Sequence, residues 1–307
     1  MLKECSNPTK KNKMKKRSLI IGMGIGQLYK TVLENLGHEV ITVDKDITKG
    51  AMMPSIDSAI LLYGSFDTVH ICTPNFTHFE IAGKIAPYAK IVFIEKPGVA
   101  DSNSWKILLE TFKYTRFIMV KNNMWRSNID ELKELASKSK TVDLLWLNKD
   151  RAPSPGTWFT TKKLAFGGVS RDLMPHLLSL YVALNPIWRT ETVTSSNLKS
   201  NWKLTDLTQT DYGTVKADGI YDVDDECGIA FGDHWRLSAN WRTNSIDCRQ
   251  IVFNLPDGTI ETFQLGLCPE EAYQSMIKDA VEHVDDHEFW IKQYEIDTWI
   301  HERIENL

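Results

Sequence analysis

A glycine-rich turn near the start of the chain is the feature that most constrains its fold. The preceding residues, Ser18–Gly22, have the apolar pattern of a buried strand. After Gly26, apolar side chains recur at helical spacing as far as Leu36, and Gly37 follows as a C-cap. A strand that turns through glycines directly into a helix is typical of a parallel sheet with crossover helices.

An acidic residue beyond this turn indicates what the turn binds. Asp44 lies twenty residues after Gly24 and directly follows the predicted second strand, Glu39–Val43. In dinucleotide-binding units, glycines permit a tight turn and the close approach of a pyrophosphate, while such an acid accepts hydrogen bonds from ribose hydroxyls. The free N–H groups at the start of the helix favour the same anion. The residues that we expect to bind this part of NAD are Gly22, Gly24, Ile25, Gly26 and Asp44.

Two details of the turn leave alternatives open. Gly26 comes one residue before the position that the usual G-x-G-x-x-G spacing gives to the third glycine, where this chain has Gln27. A glycine-rich turn without a ligand is therefore the alternative, although the order of strand, glycines, helix, second strand and acid favours the cofactor. Asp44 would repel the 2′-phosphate of NADP, which favours NAD, but Lys45 beside it weakens that preference.

The remaining pattern predicts two domains. Short apolar runs alternate with helical patterns through residues 18–121, whereas residues 221–265 contain successive strands separated by turns. We expect an α/β fold class, with an N-terminal Rossmann dinucleotide-binding domain and a C-terminal α+β domain that has a largely antiparallel open sheet. The predicted bounds are a basic, disordered arm at 1–17, the Rossmann NAD-binding domain at 18–122, and a substrate-binding and oligomerisation domain at 123–307.

Charge and cysteine usage exclude several classes of protein. The net charge is −4, and residues 1–17 carry seven of the 36 basic side chains but only one of the 40 acidic ones, so the body is more acidic than the whole. Such a body is a poor nucleic-acid binder. The longest apolar run, Leu19–Ile25, is much shorter than the roughly 20 residues that span a bilayer. Five widely spaced cysteines without a CxxC pair favour a reducing cytoplasm over a disulfide framework.

Three further motifs carry a resemblance to a known family. They are TPNFTH at 73–78, EKP at 95–97, and GGVSRDLMPH at 167–176. Together with the glycine turn they resemble the Gfo/Idh/MocA family of NAD(P)-dependent oxidoreductases, which includes glucose–fructose oxidoreductase and inositol dehydrogenase. The resemblance extends from Ser18 to nearly the end of the chain, and the combination of motifs in this order is far more specific than any one of them.

The resemblance implies roles for individual residues. The residues that it places around the nicotinamide part of the cofactor are Thr73, Pro74, Asn75, His78, Glu95, Lys96 and Pro97. It places Lys96 at the bottom of the active site, and it gives Asp172 and His176 a share in proton transfer, so these three are the expected catalytic residues. The local chemistry agrees, because Pro97 restricts the backbone of the residue before it. Asp172 and His176 are four residues apart and would share one face of a helix.

Departures from the family pattern affect the substrate pocket. Met174 replaces a glycine of the family, and Ser179 replaces a second acid, so either residue can reshape the pocket. Taken singly, Lys96 is as well explained as a lysine at the end of a strand, and Asp172 as a helix cap. The occurrence of all three polar residues in order favours catalysis.

Several residues are candidates for contact with the substrate. Trp158, in a loop before the Asp–His motif, can stack on a sugar ring. Arg126 and Arg151 follow strand ends and can hold a carboxylate or phosphate, with an ordinary surface position as an equal alternative. His283 and His287 would lie on one helical face at a metal-binding spacing, but no third ligand is indicated, so we expect no metal.

These observations support one hypothesis of function and two rivals. We expect an NAD-dependent oxidoreductase that acts on a secondary alcohol of a sugar, cyclitol or sugar nucleotide, with His176 taking the hydroxyl proton. We also expect a cytoplasmic homo-oligomer associated through the C-terminal sheet. One rival is a non-catalytic NAD-binding sensor of the same fold, and another is an enzyme for an imine, amino acid or tetrapyrrole substrate.

Overall fold

A computed structural model describes residues 15–207, 213–245, 247–266 and 268–307. Residues 1–14 of the predicted arm lie outside the described residues. The strands of the described part are β1 (Arg17–Ile21), β2 (Glu39–Val43), β3 (Phe66–Ile71), β4 (Ala89–Ile94), β5 (Arg116–Met119), β6 (Thr141–Leu147), β7 (Val193–Lys199), β8 (Glu226–Phe231), β9 (Trp235–Asn240), β10 (Cys248–Asn254) and β11 (Ile260–Gln264). Its α-helices are α1 (Gly26–Asn35), α2 (Ile56–Tyr63), α3 (His78–Ile85), α4 (Ser102–Thr111), α5 (Ile129–Lys138), α6 (Lys162–Ala165), α7 (Val169–Asp172), α8 (Met174–Leu184), α9 (Glu270–Glu282) and α10 (His287–Glu305).

The N-terminal sheet is wholly parallel and has the order β2-β1-β3-β4-β5. Its central strands are buried on both faces, because helices cover both sides, and this explains why they are continuous apolar runs in the sequence. The strand order reverses between β1 and β3, so a crevice opens at their carboxyl ends. The glycine turn and the TPNFTH segment both begin at this crevice.

The C-terminal sheet has the order β11-β10-β6-β9-β8-β7. Its neighbours are antiparallel except for β6 and β9, which pair in parallel. Alternate residues along β6, such as Val142, Leu144 and Trp146, are buried against α8, while those between them face outward. This alternation is typical of a sheet with one open face. The fold class predicted from the sequence is confirmed; association of two copies through this open face remains a prediction.

The last two helices return to the N-terminal sheet. Met276 of α9 and Trp290 of α10 belong to a buried cluster that contains Ile20 of β1 and Tyr29 of α1. Two helices from beyond the predicted domain bound at 122 thus also pack on the first sheet. Side chains at helical spacing cannot reveal which sheet they will cover, because that choice depends on the path of the whole chain.

A buried ion pair fixes α10 to the end of β5. The Lys121 ammonium donates to the Asp297 carboxylate at 2.6 Å, and both side chains are fully buried. The other carboxylate oxygen accepts from the Met119 N–H at 3.0 Å. Burial raises the pKa of Asp297 to about 6, even though Lys121 opposes the shift. Because Lys121 begins the passage into the second domain, this pair holds the junction between the two sheets in place.

Some elements differ from those expected. The first strand begins at Arg17, one residue before its predicted start at Ser18, since Arg17 pairs with Glu39 on β2. Helix α2 and strand β7 were not predicted; β7 is exposed along its whole length and so lacks an apolar signal. Among the described residues, no helix has the length and apolar character needed to cross a membrane.

Candidate active site

The glycine turn lies directly against the segment that follows β3. Gly22 has φ +95°, and a Cβ at this position would lie 2.7 Å from the carbonyl oxygen of Cys72. Only glycine combines this backbone conformation with so close an approach. Gly24 is different, because a Cβ there would meet no atom within 4 Å. The backbone at Gly24 is thus open on the side from which a pyrophosphate would approach the start of α1.

The position of Gly26 explains why the third glycine can come one residue early. It is the first residue of α1, and a Cβ here would lie 2.8 Å from Cγ2 of Ile20, a fully buried β1 side chain. Its role is therefore to let the helix pack closely on the strand, which is one function of glycine in dinucleotide-binding turns. The shift in spacing leaves that function intact.

Asp44 lies at the end of β2 with its carboxylate turned toward the glycine turn. One oxygen accepts from the Met23 N–H at 2.7 Å and the other from the Asp46 N–H at 2.9 Å. Each carboxylate oxygen has a further lone pair that can accept a ribose hydroxyl. Lys49, which the sequence analysis did not single out, places its ammonium 3.8 Å from the same carboxylate. A positive charge therefore lies beside the residue that is expected to select the cofactor.

The TPNFTH segment connects the two domains. The Asn75 amide donates to the carbonyl oxygen of Ala165 in α6 at 2.9 Å. Thr77 donates to the Thr73 hydroxyl at 2.7 Å and stabilises the turn. His78 is fully buried, with its two ring nitrogens 2.7 and 2.8 Å from the carbonyl oxygens of Gly98 and Thr73. His78 thus positions the expected cofactor loop rather than lining it.

The EKP motif ends β4 beside this loop. The Glu95 carboxylate accepts from the Tyr29 hydroxyl at 2.6 Å, and burial raises its pKa. The bond between Lys96 and Pro97 is cis. The following loop is packed against α10, because the Val99 N–H donates to the His301 ring at 3.2 Å. These contacts direct the Lys96 side chain away from the interior and toward the second domain.

Asp172 is presented by the short helix α7, which Asp224 holds in place. The Asp224 carboxylate accepts from the N–H groups of Gly168 and Ser170 at 2.8 and 2.7 Å. A Cβ on Gly168 would overlap the backbone of Asp224, so the second glycine of the GG pair is needed for this packing. Asp224 was not predicted from the sequence, since a capping carboxylate more than fifty residues away along the chain leaves no local pattern.

Lys96 and Asp172 meet across the junction between the domains. The Lys96 ammonium donates directly to one Asp172 carboxylate oxygen, and the other oxygen accepts from the Trp241 indole N–H at 2.8 Å. The two charged side chains remain 20% and 19% exposed, so solutes can reach them. Burial opposes ionisation of Asp172, but Lys96 and Trp241 outweigh it and hold the pKa of Asp172 below its usual range. Trp241 is therefore a positioning residue that the sequence analysis did not assign to the site.

His176 follows on α8 and is held by an aromatic ring and an amide. Its ring stacks on Trp146 of β6 with the centroids 5.2 Å apart. The Asn123 amide nitrogen lies 3.3 Å from Nδ1 of His176, and the Asn123 oxygen accepts from Nε of Arg126 at 2.9 Å. Burial, followed by the charge of Lys96, lowers the pKa of His176 to about 3. The imidazole is therefore neutral at ordinary pH.

The remaining candidates lie at different depths. Arg126 is only 7% exposed and lies next to the His176 network. Arg151 forms an ion pair with Asp247 at 2.9 Å and is partly exposed, so it already has an anionic partner. Trp158 stacks on Phe159 with the centroids 3.8 Å apart. Met174 is completely buried in the main hydrophobic core, where it fills core space.

His283 and His287, which have a metal-binding spacing in the sequence, do not lie on one helix. Helix α9 ends before His283, and Asp286 caps a new helix by accepting from the N–H groups of Glu288 and Phe289. The prediction that His283 and His287 share one helical face is therefore wrong, because this cap interrupts the helix. Within the described residues, no group of three or more His, Cys, Asp or Glu side chains could hold a metal ion.

The geometry fits a dinucleotide at the carboxyl edge of the N-terminal sheet. The open approach at Gly24, the start of α1 and the Asp44 carboxylate occur in the order that such a ligand requires. Lys96, Asp172 and His176 lie further along the same edge, where β4 meets the second domain. Lys96 and Asp172 contact each other directly, whereas the contacts described for His176 are with Trp146 and Asn123, and only the charges of Lys96 and Asp172 act on its ring. The catalytic roles of the three residues remain a prediction.

The N-terminal domain matches a known family. Residues 17–121 match the model of GFO_IDH_MocA, an oxidoreductase family with an NAD-binding Rossmann fold. A protein from Amycolatopsis mediterranei, described as a UDP-kanosamine synthase oxidoreductase subunit, is 27% identical over 196 residues, which cover 59% of this chain and 55% of that protein. The match thus spans only about half the length of this curated relative.

Solved structures extend the likeness to both domains. GenD2 from gentamicin A biosynthesis, in complex with NAD, has a TM-score of 0.72 at 16% identity, covering 99% of this chain and 95% of that one. Levoglucosan dehydrogenase, in complex with NADH and levoglucosan, has a TM-score of 0.70 at 14% identity, with 94% and 97% covered. A myo-inositol dehydrogenase from Corynebacterium glutamicum has a TM-score of 0.71 at 12% identity, with 95% of each chain covered. At these identities the likeness shows a shared fold.

Proposed function

Because residues 17–121 match the model of the GFO_IDH_MocA oxidoreductase family, with its NAD-binding Rossmann fold, we propose that the chain is a dehydrogenase of this family for a secondary alcohol of a sugar, cyclitol or sugar nucleotide. The observation that carries this proposal is the contact between Lys96 of the first domain and Asp172 of the second. His176 is four residues further along, and it lies on α8 rather than sharing one helix with Asp172 as the sequence spacing predicted, because α7 ends at Asp172. Three polar groups at the carboxyl edge of the sheet, open to solutes, suit a reaction on a polar substrate carbon.

The reaction divides between the cofactor and the protein. When bound, NAD supplies the acceptor for the hydride that leaves the alcohol carbon. The protein must bind the hydroxyl oxygen, hold it in one orientation and remove its proton. The Lys96 amine and the His176 ring are the groups that we propose contact this oxygen, while Asp172 orients Lys96 and balances its charge.

The tautomer of His176 decides how the proton is shared. The Asn123 oxygen accepts from Arg126, so the Asn123 NH₂ group faces Nδ1 of His176. A neutral imidazole that accepts at Nδ1 carries its proton on Nε2 and therefore donates from that atom. The sequence predicts that His176 is the base; this network instead favours His176 as a hydrogen-bond donor to the reacting oxygen, and Lys96 as the group that exchanges the proton.

The ion pair sets the expected pH dependence of the two directions. In the contact with Asp172, Lys96 holds the proton that a ketone must receive on reduction. Oxidation of the alcohol releases a proton through Lys96 and reduction of the ketone takes one up, so a higher pH should favour oxidation and a lower pH should favour reduction. General acid–base catalysis of this kind contributes about 10²–10⁴-fold to the rate.

Substitutions that separate hydrogen-bond donation from proton exchange test the proposal. Lys96→Arg keeps a cation but cannot lose its proton, so it should bind NAD and lose most turnover. His176→Gln keeps an N–H donor and should retain more activity than His176→Leu. Turnover is measured as NADH formation with a panel of sugars, cyclitols and sugar nucleotides, and NAD binding is measured by quenching of protein fluorescence. Equal loss in the Gln and Leu variants would restore His176 as the base.

The non-catalytic sensor remains the competing proposal. It predicts NAD binding, no turnover on any member of the panel, and no further effect of substitutions at Lys96 or His176. The direct contact of Lys96 with Asp172, and the two donors that hold Asp172 in place, favour the enzyme, because a protein that only binds NAD has no need for them.

A further inference from the structure

Arg126 is a buried cation for which the described residues supply no anion. Its side chain is 7% exposed, and its Nη2 is buried without a hydrogen-bond partner in the described part of the chain. Nε donates to the neutral Asn123 amide. None of the described carboxylates forms an ion pair with it. Burying a guanidinium in this way is unfavourable unless a partner arrives.

The titratable neighbours of Arg126 do not neutralise it. They are Cys268 and Tyr273. Burial raises the pKa of Cys268 to about 11, and burial also raises the pKa of Tyr273 above its usual range. Both groups are therefore uncharged at neutral pH and do not balance the charge of the guanidinium.

Arg126 lies within reach of a molecule held by the catalytic residues. A single side chain, Asn123, separates it from His176, through contacts of 2.9 and 3.3 Å. A second guanidinium, that of Arg249, lies 5.2 Å from the ring of Trp146, on which His176 stacks. Around His176 the charges of Lys96, Arg126 and Arg249 thus exceed the single negative charge of Asp172.

We propose that the Arg126 guanidinium binds a carboxylate of the substrate, so that the dehydrogenase acts on a sugar acid such as a hexuronate. The inference rests on the proposed function for the identity of the reacting group. A carboxylate presents two oxygens in one plane, as the edge of a guanidinium requires, and is small enough for a site this deeply buried.

Binding of formate tests the carboxylate site without turnover. Formate is titrated into the NAD-loaded protein at constant ionic strength, with tryptophan fluorescence as the readout. Arg126→Met should weaken formate binding about 10- to 100-fold, as expected for loss of a charged hydrogen-bond donor. Arg236→Gln is the matched control, since Arg236 pairs with Asp143 on the exposed part of the second sheet, and it should bind formate as the unmodified protein does.

Stability provides a second readout. Arg126→Met removes an unpaired buried charge, so the substituted protein should melt at the same or a higher temperature than the unmodified one in the absence of ligand. A purely structural arginine would give the opposite result. If Arg126→Met fails to fold, Arg126→Lys keeps the charge but loses the two-pronged donor, and should show a smaller loss of formate affinity.

Paired substrates connect the site to catalysis. Glucuronate and galacturonate are compared with glucose and galactose, and kcat/KM should be higher for the acids and fall toward the neutral sugars in Arg126→Met. Absence of formate binding, equal binding to Arg126→Met, or a response to inorganic phosphate alone would overturn the carboxylate site. If neutral sugars are oxidised and the acids are not, the carboxylate site is wrong and the proposed dehydrogenase activity is supported. If formate binds at Arg126 and no sugar is oxidised, the proposed function is wrong and the carboxylate site is supported.

Discussion

Two glycines in the same turn should respond in opposite ways to the same substitution. Gly24→Ala adds a methyl group where no atom lies within 4 Å, whereas Gly26→Ala places one 2.8 Å from Cγ2 of the buried Ile20. Neither glycine has a positive φ, so alanine is compatible with both backbones. The pair therefore separates the binding of a ligand from the packing of the helix.

The magnitudes follow from these surroundings. Gly24→Ala should stabilise the protein by about 0.4–1 kcal/mol, because it restricts the unfolded chain. Gly26→Ala gains up to about 1 kcal/mol of helix propensity but loses about 1–3 kcal/mol to overpacking against a β-branched side chain that cannot move aside. The net effect at Gly26 should be a loss of about 1 kcal/mol. For NAD the order is reversed: the methyl group at Gly24 should displace the pyrophosphate from at least one charge-assisted N–H bond and weaken binding about 10- to 100-fold.

Urea unfolding without ligand and fluorescence titration with NAD measure the two effects separately. If Gly24→Ala binds NAD with unchanged affinity, the pyrophosphate does not approach at Gly24, and the assignment of the turn fails. If Gly26→Ala is as stable as the unmodified protein, Ile20 can move aside and Gly26 is not required for packing.

Three further predictions concern the cofactor, acid stability and the arm. Asp44→Ala should weaken NAD binding and improve relative binding of NADP, measured by titration of both; tighter NADP binding by the unmodified protein would refute the selection by Asp44. The pKa of His70 and His176 is about 3 and that of His301 is about 4 in the folded protein. Below pH 6.5 the unfolded chain therefore takes up protons at these histidines that the folded protein does not. The free energy of unfolding should fall by up to about 1.4 kcal/mol per histidine per pH unit as the pH drops from 6.5 toward 4. Urea titrations at pH 7 and 5 check this, and equal stability would contradict it. A chain beginning at Met14 should keep its melting temperature and NAD affinity, and loss of either would show that the arm packs on the body.

The sequence determined the parts of this protein whose physical cause is local. The strand at β1, the helix after Gly26 and the acid at the end of β2 follow one another within thirty residues, and each has a pattern that its own neighbours create. The catalytic candidates were also found from sequence, because the EKP and GGVSRDLMPH motifs carry them at fixed positions. Their resemblance to a known family named the fold and the cofactor, and both are confirmed.

Tertiary structure alone decided what those residues touch. Trp241 orients Asp172 and Asp224 caps the helix that carries it, although neither lies within fifty residues of its partner. Where α10 returns to the first sheet, Asp297 forms a fully buried ion pair with Lys121, two residues after β5, that no periodicity could reveal. The sequence does not distinguish Arg126 from Arg151, because both follow predicted strand ends. In the structure Arg126 is buried without an anion among the described residues, whereas Arg151 is paired with Asp247. Local patterns specify which elements form, but burial and charge compensation exist only once distant elements are packed together.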